Sequence, residues 1–224
     1  MPDNQDAADR GMPSGLALAE LLCTRLCHDF SGPLGVLVAT ADMLGEEGVD
    51  QAELRETLLQ AADGLSRRLR FVRAAWGVGG AAITPSELVE MAEGVPGHGR
   101  VRLDVSALPP DAPLGPQLAR TLMSAILLAG EALPRGGTLH LAADPAAGRV
   151  LLLPDGPGAA WPEGTAAALA GAPAAAPTAR TLLAPLTAAI AHEAGLVLAL
   201  ALPPGDGPAM LAIGSAQAPA QKRN

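Results

Sequence analysis

The sequence predicts an α+β fold in which an N-terminal helical hairpin precedes a domain of short alternating helices and strands. Apolar residues recur every three or four positions from Leu16 to Leu44 and again from Leu54 to Trp76, which is the spacing of amphipathic helices. Beyond Gly77, short apolar runs separated by glycine and proline replace these long periodic segments. The chain of 224 residues, 49% of them apolar, is long enough for one large domain or two small ones.

The composition favours helices and disfavours several classes of partner. Aromatic residues make up only 2% of the chain, so leucine, valine and alanine must form most of the core. The net charge of -8 disfavours broad binding to nucleic acid or to an anionic membrane. The polar, acidic N-terminus lacks the features of a secretory signal, and no uninterrupted apolar stretch reaches the roughly 18 residues of a membrane span. We therefore expect a cytoplasmic protein with protein partners, and neither nucleic acid nor membrane among them.

The two long periodic segments predict an antiparallel pair of helices. The first helix is predicted from the capping residue Ser14 to about Leu44, where glycines follow. The second begins after Asp50, which forms a capping-box pattern with Glu53, and continues to Trp76. A connection of about five residues forces such long helices into a hairpin. Because a hairpin cannot bury both sides of its apolar surface, we expect two copies to form a four-helix bundle in a homodimer.

The predicted domains are a helical dimerisation domain over 14–76 and a second domain over 83–214, with disordered ends at 1–13 and 215–224. Glycine-rich residues 77–82 are predicted to link the two domains. In the second domain we predict a helix from Thr84-Pro85-Ser86-Glu87, strands over 100–105, 138–142, 150–153, 196–202 and 209–213, helices over 117–132 and 180–194, and a nearly low-complexity segment over 159–178.

Within the first helix, His28 is the candidate reactive residue. Asp29 follows it directly, and Pro33 and Leu34 come five and six positions later. In the heptad that places apolar residues at positions a and d, His28 occupies position f, which points into solvent. The imidazole is therefore predicted to be available to a partner.

The arrangement His-acid-x-x-x-Pro-Leu in a helical hairpin resembles the dimerisation and phosphoacceptor domain of bacterial sensor histidine kinases. The segment Leu-Cys-x-Arg-Leu-Cys-His-Asp-Phe-x-Gly-Pro-Leu-Gly is similar to alphaproteobacterial histidine phosphotransferases of the ChpT type. The resemblance extends over nearly the whole chain, and its specific part is 20–35. It implies a second domain that is a degenerate histidine-kinase ATPase-like α/β sandwich. It also implies a phosphorelay carrier that moves a phosphoryl group on His28 between the receiver domain of a hybrid kinase and response regulators in cell-cycle control.

The same resemblance indicates where ATP chemistry is lost. Leu128, counted back from Pro-Arg-Gly-Gly at 134–137, stands where the kinases have a magnesium-binding asparagine, and leucine cannot coordinate a hard cation. The sequence at 155–158 is a shortened Asp-x-Gly-x-Gly loop, and Ala-Ala-Ala-Pro at 174–177 replaces the glycine-rich lid. We therefore expect a phosphotransfer protein rather than an ATP-dependent kinase. It would have no cofactor or metal of its own, and Mg²⁺ would be in the partner's receiver domain.

The resemblance implies that one imidazole nitrogen of His28 attacks phosphorus, while Asp29 accepts a hydrogen bond from the other and fixes the tautomer. The sequence does not decide which nitrogen is which. If the hairpin turns near residue 47, Arg67 and Arg68 lie level with His28 and their guanidinium groups would meet the phosphoryl group or an acidic receiver pocket. The remaining residues expected to contact the partner lie around His28 on its helix face: Leu21, Thr24, Arg25, Ser31, Gly32 and Gly35.

Simpler explanations compete with several of these assignments. Asp29 would also fit an ordinary solvated helix face, and the arginine-rich run 66–73 fits cations that stabilise a helix C-terminus, or less well a nucleic-acid contact. Cys23, Cys27 and His28 lie too close together on one helix to surround a zinc ion. For the whole protein, an active ATP-dependent histidine kinase and a non-catalytic dimerisation scaffold remain as alternatives.

Overall fold

The computed structural model of the protein describes residues 15–95, 98–172, 177–202 and 207–215. The disordered N-terminus predicted over 1–13, the cap at Ser14 and most of the predicted C-terminal tail lie outside these ranges. So does most of the alanine-proline segment that stands where kinases have a lid. Ser215, the first residue predicted for that tail, is the last residue of a strand.

Two long helices form an antiparallel hairpin, here called the stem. Helix α1 is Gly15–Asp42 and helix α2 is Gln51–Trp76. Asp50 caps α2, because its side chain accepts hydrogen bonds from the backbone N–H groups of Ala52 and Glu53 at 2.9 and 3.2 Å. The capping pattern read from the sequence therefore begins α2 where it was predicted to begin.

The rest of the chain, here called the second domain, combines a five-stranded mixed sheet with shorter helices. The strand order is β1-β2-β3-β5-β4; β1 and β2 are parallel, and the other neighbouring pairs are antiparallel. The predicted α+β class is thus confirmed. The elements are α3 Pro85–Ala92, β1 Val101–Ala107, α4 Pro116–Glu131, β2 Gly137–Asp144, β3 Arg149–Asp155, α5 Thr165–Leu169, α6 Leu183–Glu193, β4 Leu196–Ala201 and β5 Met210–Ser215, with a short 3-10 turn at His98–Arg100.

Two elements differ from the predictions. The segment 159–178, predicted to be nearly low-complexity, contains the short helix α5, which contacts α6. Alanine has the highest helix propensity, so an alanine run that is supported by a neighbouring helix forms a turn and a half of helix. Helix α6 begins at Leu183 rather than at Arg180. Residues 178–181 instead form a turn closed by the hydroxyls of Thr178 and Thr181.

One face of the sheet and the end of the stem share a single hydrophobic core. Phe71 and Ala75, near the C-terminal end of α2, are fully buried in it, and the Trp76 indole N–H donates to Ser124 on α4 at 3.4 Å. The stem is therefore packed into the second domain by its own second helix. The principal buried side chains of the second domain in this core are Leu88, Leu122, Leu128, Leu139, Leu141, Leu152, Leu183, Leu211 and Ile213.

Away from this core, the stem exposes large apolar side chains. They include Leu16, Leu34 and Val38 on α1, and Leu59 and Leu69 on α2. Within the described ranges, no helix is both long and apolar enough to cross a membrane. These exposed side chains show that the second domain leaves part of the apolar surface of the stem uncovered.

Candidate functional site

His28 lies near the middle of α1 with its side chain 84% exposed. The hydroxyls of Thr24 and Ser31 do not reach toward the ring, because each donates to a backbone carbonyl one turn earlier in the helix, at 2.9 and 2.5 Å. Gly32 and Gly35 leave open space where a Cβ atom would stand. The imidazole therefore projects from a surface of small residues, which agrees with the outward position predicted from the heptad.

Asp29 contacts the ring of His28 from one side. Its Oδ1 lies 3.2 Å from the His28 Nδ1, and its Oδ2 accepts a hydrogen bond from the Arg25 Nε at 2.9 Å. An ionised carboxylate can only accept, so this contact requires a proton on the His28 Nδ1. The Nε2 of His28 then carries the free lone pair.

Arg25 connects Asp29 to the second domain. Its Nη1 donates to the Glu131 Oε1 at 3.0 Å and to the backbone carbonyl of Ala179 at 3.1 Å. Partial burial lowers the pKa of Arg25, but hydrogen bonds and charges of Asp29 and Glu131 raise the pKa above its usual value overall, so the guanidinium stays charged. For Glu131, burial raises the pKa, and Arg25 offsets part of that rise. One guanidinium thus joins the acid beside His28 to the end of α4 and to the segment before α6.

Arg68 joins the two helices of the stem next to His28. Pro33 lies inside α1 and has no N–H, so the carbonyl of Asp29, four residues earlier, has no helical donor. The Arg68 Nη1 donates to that carbonyl at 2.6 Å. The sequence analysis placed Arg68 level with His28 but did not predict this hydrogen bond. The spacing of four residues between Asp29 and Pro33 could have indicated that the Asp29 carbonyl needs another donor.

The other residues predicted to contact a partner divide into two groups. Thr24, Ser31, Gly32 and Gly35 lie exposed on the helix face of His28, whereas Leu21 and Arg25 are half-buried.

Arg67 already has two carboxylate partners in this structure. It pairs with Asp63 at 2.5 Å and with Glu93 of the second domain. Asp63 and then Glu93 raise the pKa of Arg67. A partner's acidic group would therefore compete with Asp63 and Glu93 for this guanidinium.

The positions that resemble a kinase ATP site do not fit a magnesium nucleotide. Leu128 is only 1% exposed and packs in the hydrophobic core, so it offers methyl groups where a cation needs oxygen ligands. The turns at 134–137 and 155–158 pack against each other through backbone atoms: a Cβ on Gly156 would lie 2.4 Å from the carbonyl oxygen of Gly136. The glycines here serve the close packing of two turns.

A second histidine-carboxylate pair lies on the outer face of the sheet. The His140 Nδ1 is 2.8 Å from the Asp104 Oδ2, and these residues are register partners on β1 and β2. The backbone N–H and hydroxyl of Ser106 and the ring of His140 lower the pKa of Asp104 to about 2. Among the described residues, no group of three His, Cys, Asp or Glu side chains is placed to hold a metal ion.

The chain is similar to known proteins in sequence and in overall fold. Residues 85–205, more than half of the chain, match the family described as the histidine phosphotransferase C-terminal domain. Protein phosphotransferase ChpT of Brucella abortus (strain 2308) is 38% identical over 69 residues, which are 31% of this chain and only 32% of the relative. The solved structure of a bacterial phosphotransferase superposes with a TM-score of 0.69 and 24% identity, over 90% of this chain and 98% of that one. At that identity the structural likeness describes the fold.

Proposed function

This chain belongs to the histidine phosphotransferase family, of the ChpT type that its sequence resembles, and we propose that it carries a phosphoryl group on His28. The donor would be the receiver domain of a hybrid kinase, and the acceptors would be the receiver domains of response regulators. The observation that carries this proposal is the exposed imidazole whose Nδ1 contacts the Asp29 carboxylate. That contact leaves Nε2 unhindered and nucleophilic, as a phosphoacceptor requires.

The transfer can be written with each bond assigned. The Nε2 lone pair of His28 attacks the phosphorus of an aspartyl phosphate on the receiver domain, and the nitrogen–phosphorus bond forms as the phosphorus–oxygen bond to that aspartate breaks. The electron pair of the broken bond stays on the aspartate carboxylate. The Nδ1 of His28 keeps its proton, so the ring becomes a phosphorylated imidazolium cation whose positive charge faces Asp29. Passing the group to a response regulator is the reverse reaction.

The receiver domain would supply the remaining requirements of phosphoryl transfer. Its magnesium ion would neutralise the phosphoryl oxygens, and its aspartate would hold the leaving oxygen in line with the nucleophile. We therefore expect this chain to need no cofactor or metal of its own. The burial of Leu128 supports the absence of ATP-dependent self-phosphorylation and disfavours the alternative of an active kinase.

The surface around His28 suits a close approach by the partner. Ser31, Gly32 and Gly35 add little bulk next to the ring. A groove between the stem and the second domain begins about one turn farther along α1, with Pro33 and Arg68 among the residues that line it. We propose that the receiver domain docks on this side of α1, with its acidic pocket over His28.

We further propose that two copies pair through the stem. Leu16, Cys23, Cys27, Leu34 and Val38 lie exposed along α1 at intervals of seven and four residues, which is a continuous helical seam. Burying this seam and the exposed leucines of α2 against a second hairpin would complete a four-helix bundle. His28 is offset from the seam and would stay accessible in the homodimer.

The test is transfer to the whole purified protein from a phosphorylated receiver domain. We expect an acid-labile, base-stable label on the wild-type chain and none on the His28→Ala variant, since His28 is exposed and its loss should leave the fold intact. His192→Ala is a matched control, because His192 is also exposed and followed by an acid, and it should keep the label. A label that persists in His28→Ala, or a wild-type chain that accepts none, contradicts the proposal. The latter result would favour the scaffold.

A further inference from the structure

Ion pairs join the stem to the second domain at two places in the described part of the chain. Arg67 of α2 pairs with Glu93, and Arg25 of α1 pairs with Glu131. The two pairs differ in what the arginine also touches. Arg67 reaches a second surface carboxylate, whereas Arg25 reaches the carboxylate that contacts His28.

We propose that Arg25 is a positioning residue, through which Glu131 and the Ala179 carbonyl of the second domain orient Asp29 and so set the tautomer of His28. This inference rests on the proposed function and assigns a task to the second domain in that same reaction. The second domain would act on the chemistry through a fixed arginine and without a nucleotide.

The geometry couples these contacts to one another: the second domain holds Arg25, Arg25 holds Asp29, and Asp29 contacts the ring of His28. Asp29 divides its two oxygens between the His28 Nδ1 and the Arg25 Nε, at 3.2 and 2.9 Å. With no partner for Oδ2, the carboxylate could rotate toward water and release the ring. Arginine presents several donors in one rigid plane, so a guanidinium held at Nη1 by Glu131 and Ala179 also has its Nε fixed in direction.

Lysine cannot take the place of Arg25 in this arrangement. Its ammonium group is a point donor without the planar fork that spans Asp29, Glu131 and a carbonyl at once. The partial burial of Arg25 strengthens its bonds, because water competes less well for half-covered groups. The inference therefore predicts a larger effect from changing the chemistry of the arginine than from removing an exposed ion pair of equal charge.

The experiment uses the full chain and two measurements. The first is the tautomer of His28, from ¹⁵N NMR of the imidazole at a pH where the ring is neutral. The second is the rate of transfer from a phosphorylated receiver domain. We expect Glu131→Ala and Arg25→Lys to shift His28 toward the Nε2–H form and to slow transfer about tenfold, the effect typical of removing a group that orients a reactive side chain. Glu131→Gln keeps an oxygen acceptor for Arg25 and should stay within about threefold of the wild-type rate.

Glu93→Ala is the matched control, since it removes the other ion pair between the stem and the second domain without touching Asp29. It should leave the tautomer of His28 as in the wild-type chain. The inference is overturned if Glu131→Ala keeps both the wild-type tautomer and rate, or if Glu93→Ala shifts the tautomer equally. A wild-type chain that accepts no phosphoryl group would refute the proposed function instead, and the tautomer measurement would still decide the role of Arg25.

Discussion

The stem and the second domain differ in how completely they bury their apolar side chains. Leu88, Leu122 and Leu139 of the second domain are completely buried within one chain, whereas Leu16, Leu34 and Leu59 of the stem lie largely exposed. A folded domain rarely leaves a continuous apolar seam in water. The core of the second domain is therefore complete in one copy, whereas the stem would bury its exposed leucines only in the homodimer proposed above.

The largest effect is expected from a substitution in the exposed apolar seam of α1, where the stem differs most from the second domain. Leu34→Asp places a charge in the proposed interface between two copies, where it would be buried without a partner. We expect the variant to be monomeric by light scattering at concentrations where the wild-type chain is dimeric. Val197→Asp is the control, because Val197 on β4 is 51% exposed and Leu34 is 52% exposed. A dimeric Leu34→Asp variant, or a monomeric wild-type chain, would contradict the pairing.

A smaller effect is expected in the second domain, at Leu128. Leu128→Asn restores the residue type that kinases use to hold magnesium, but the amide would be buried in the core without its hydrogen-bond partners. We expect the free energy of unfolding in urea to fall by about 3 to 5 kcal/mol, as for other losses of a buried leucine. We also expect no gain in ATP binding by calorimetry.

Leu202→Asn provides the comparison for Leu128, because Leu202 is exposed outside the sheet. Its unfolding free energy should stay within about 0.5 kcal/mol of wild type. If Leu128→Asn bound ATP with magnesium, the position would belong to a working nucleotide site rather than to a packed core.

The smallest effect is expected on the exposed face of the sheet. The pKa of Asp104 is lowered from 3.8 to about 2 in the folded chain. This carboxylate therefore stabilises the fold at pH values above its unfolded pKa, and that stabilisation is lost as the pH falls through the folded pKa of about 2. Asp104→Asn should lower the melting temperature slightly at pH 7, and the difference from wild type should shrink as the pH falls from 4 toward 2.

Asp111→Asn, a change in an exposed loop, is the control for Asp104. A difference between Asp104→Asn and wild type that stays constant down to pH 2 would show that the effect does not come from the ionised carboxylate. The difference would then come from the asparagine side chain introduced at position 104 on β1.

The elements that follow from local sequence were predictable. Periodic apolar residues predicted α1 and α2, and the caps at Asp50 and Thr84 predicted where α2 and α3 begin. The outward position of His28 followed from the same periodicity. The pairing of β1 with β2 and the helix α5 were not predicted, because parallel pairing depends on a crossover through α4 and α5 depends on support from α6.

In the candidate site, too, contacts between residues close in sequence were predictable and those between distant residues were not. Asp29 and Pro33 are neighbours of His28 in the chain, so their importance was visible in the motif. Glu131 is 106 residues from Arg25, and no local pattern connects them. Arg68 lies between these cases. Pro33 predicts that the carbonyl of Asp29 lacks a helical donor, but the sequence does not predict that Arg68 is the donor.

The burial of Phe71 and Ala75 in the core of the second domain has a consequence for partner encounters. A helix that belongs to both regions leaves little freedom for a hinge between them, because any swing would pull Phe71 out of its packing. A receiver domain that docks as proposed above would therefore meet a preorganised surface. Docking would order few groups on this side of the complex, so little conformational entropy would be lost on association.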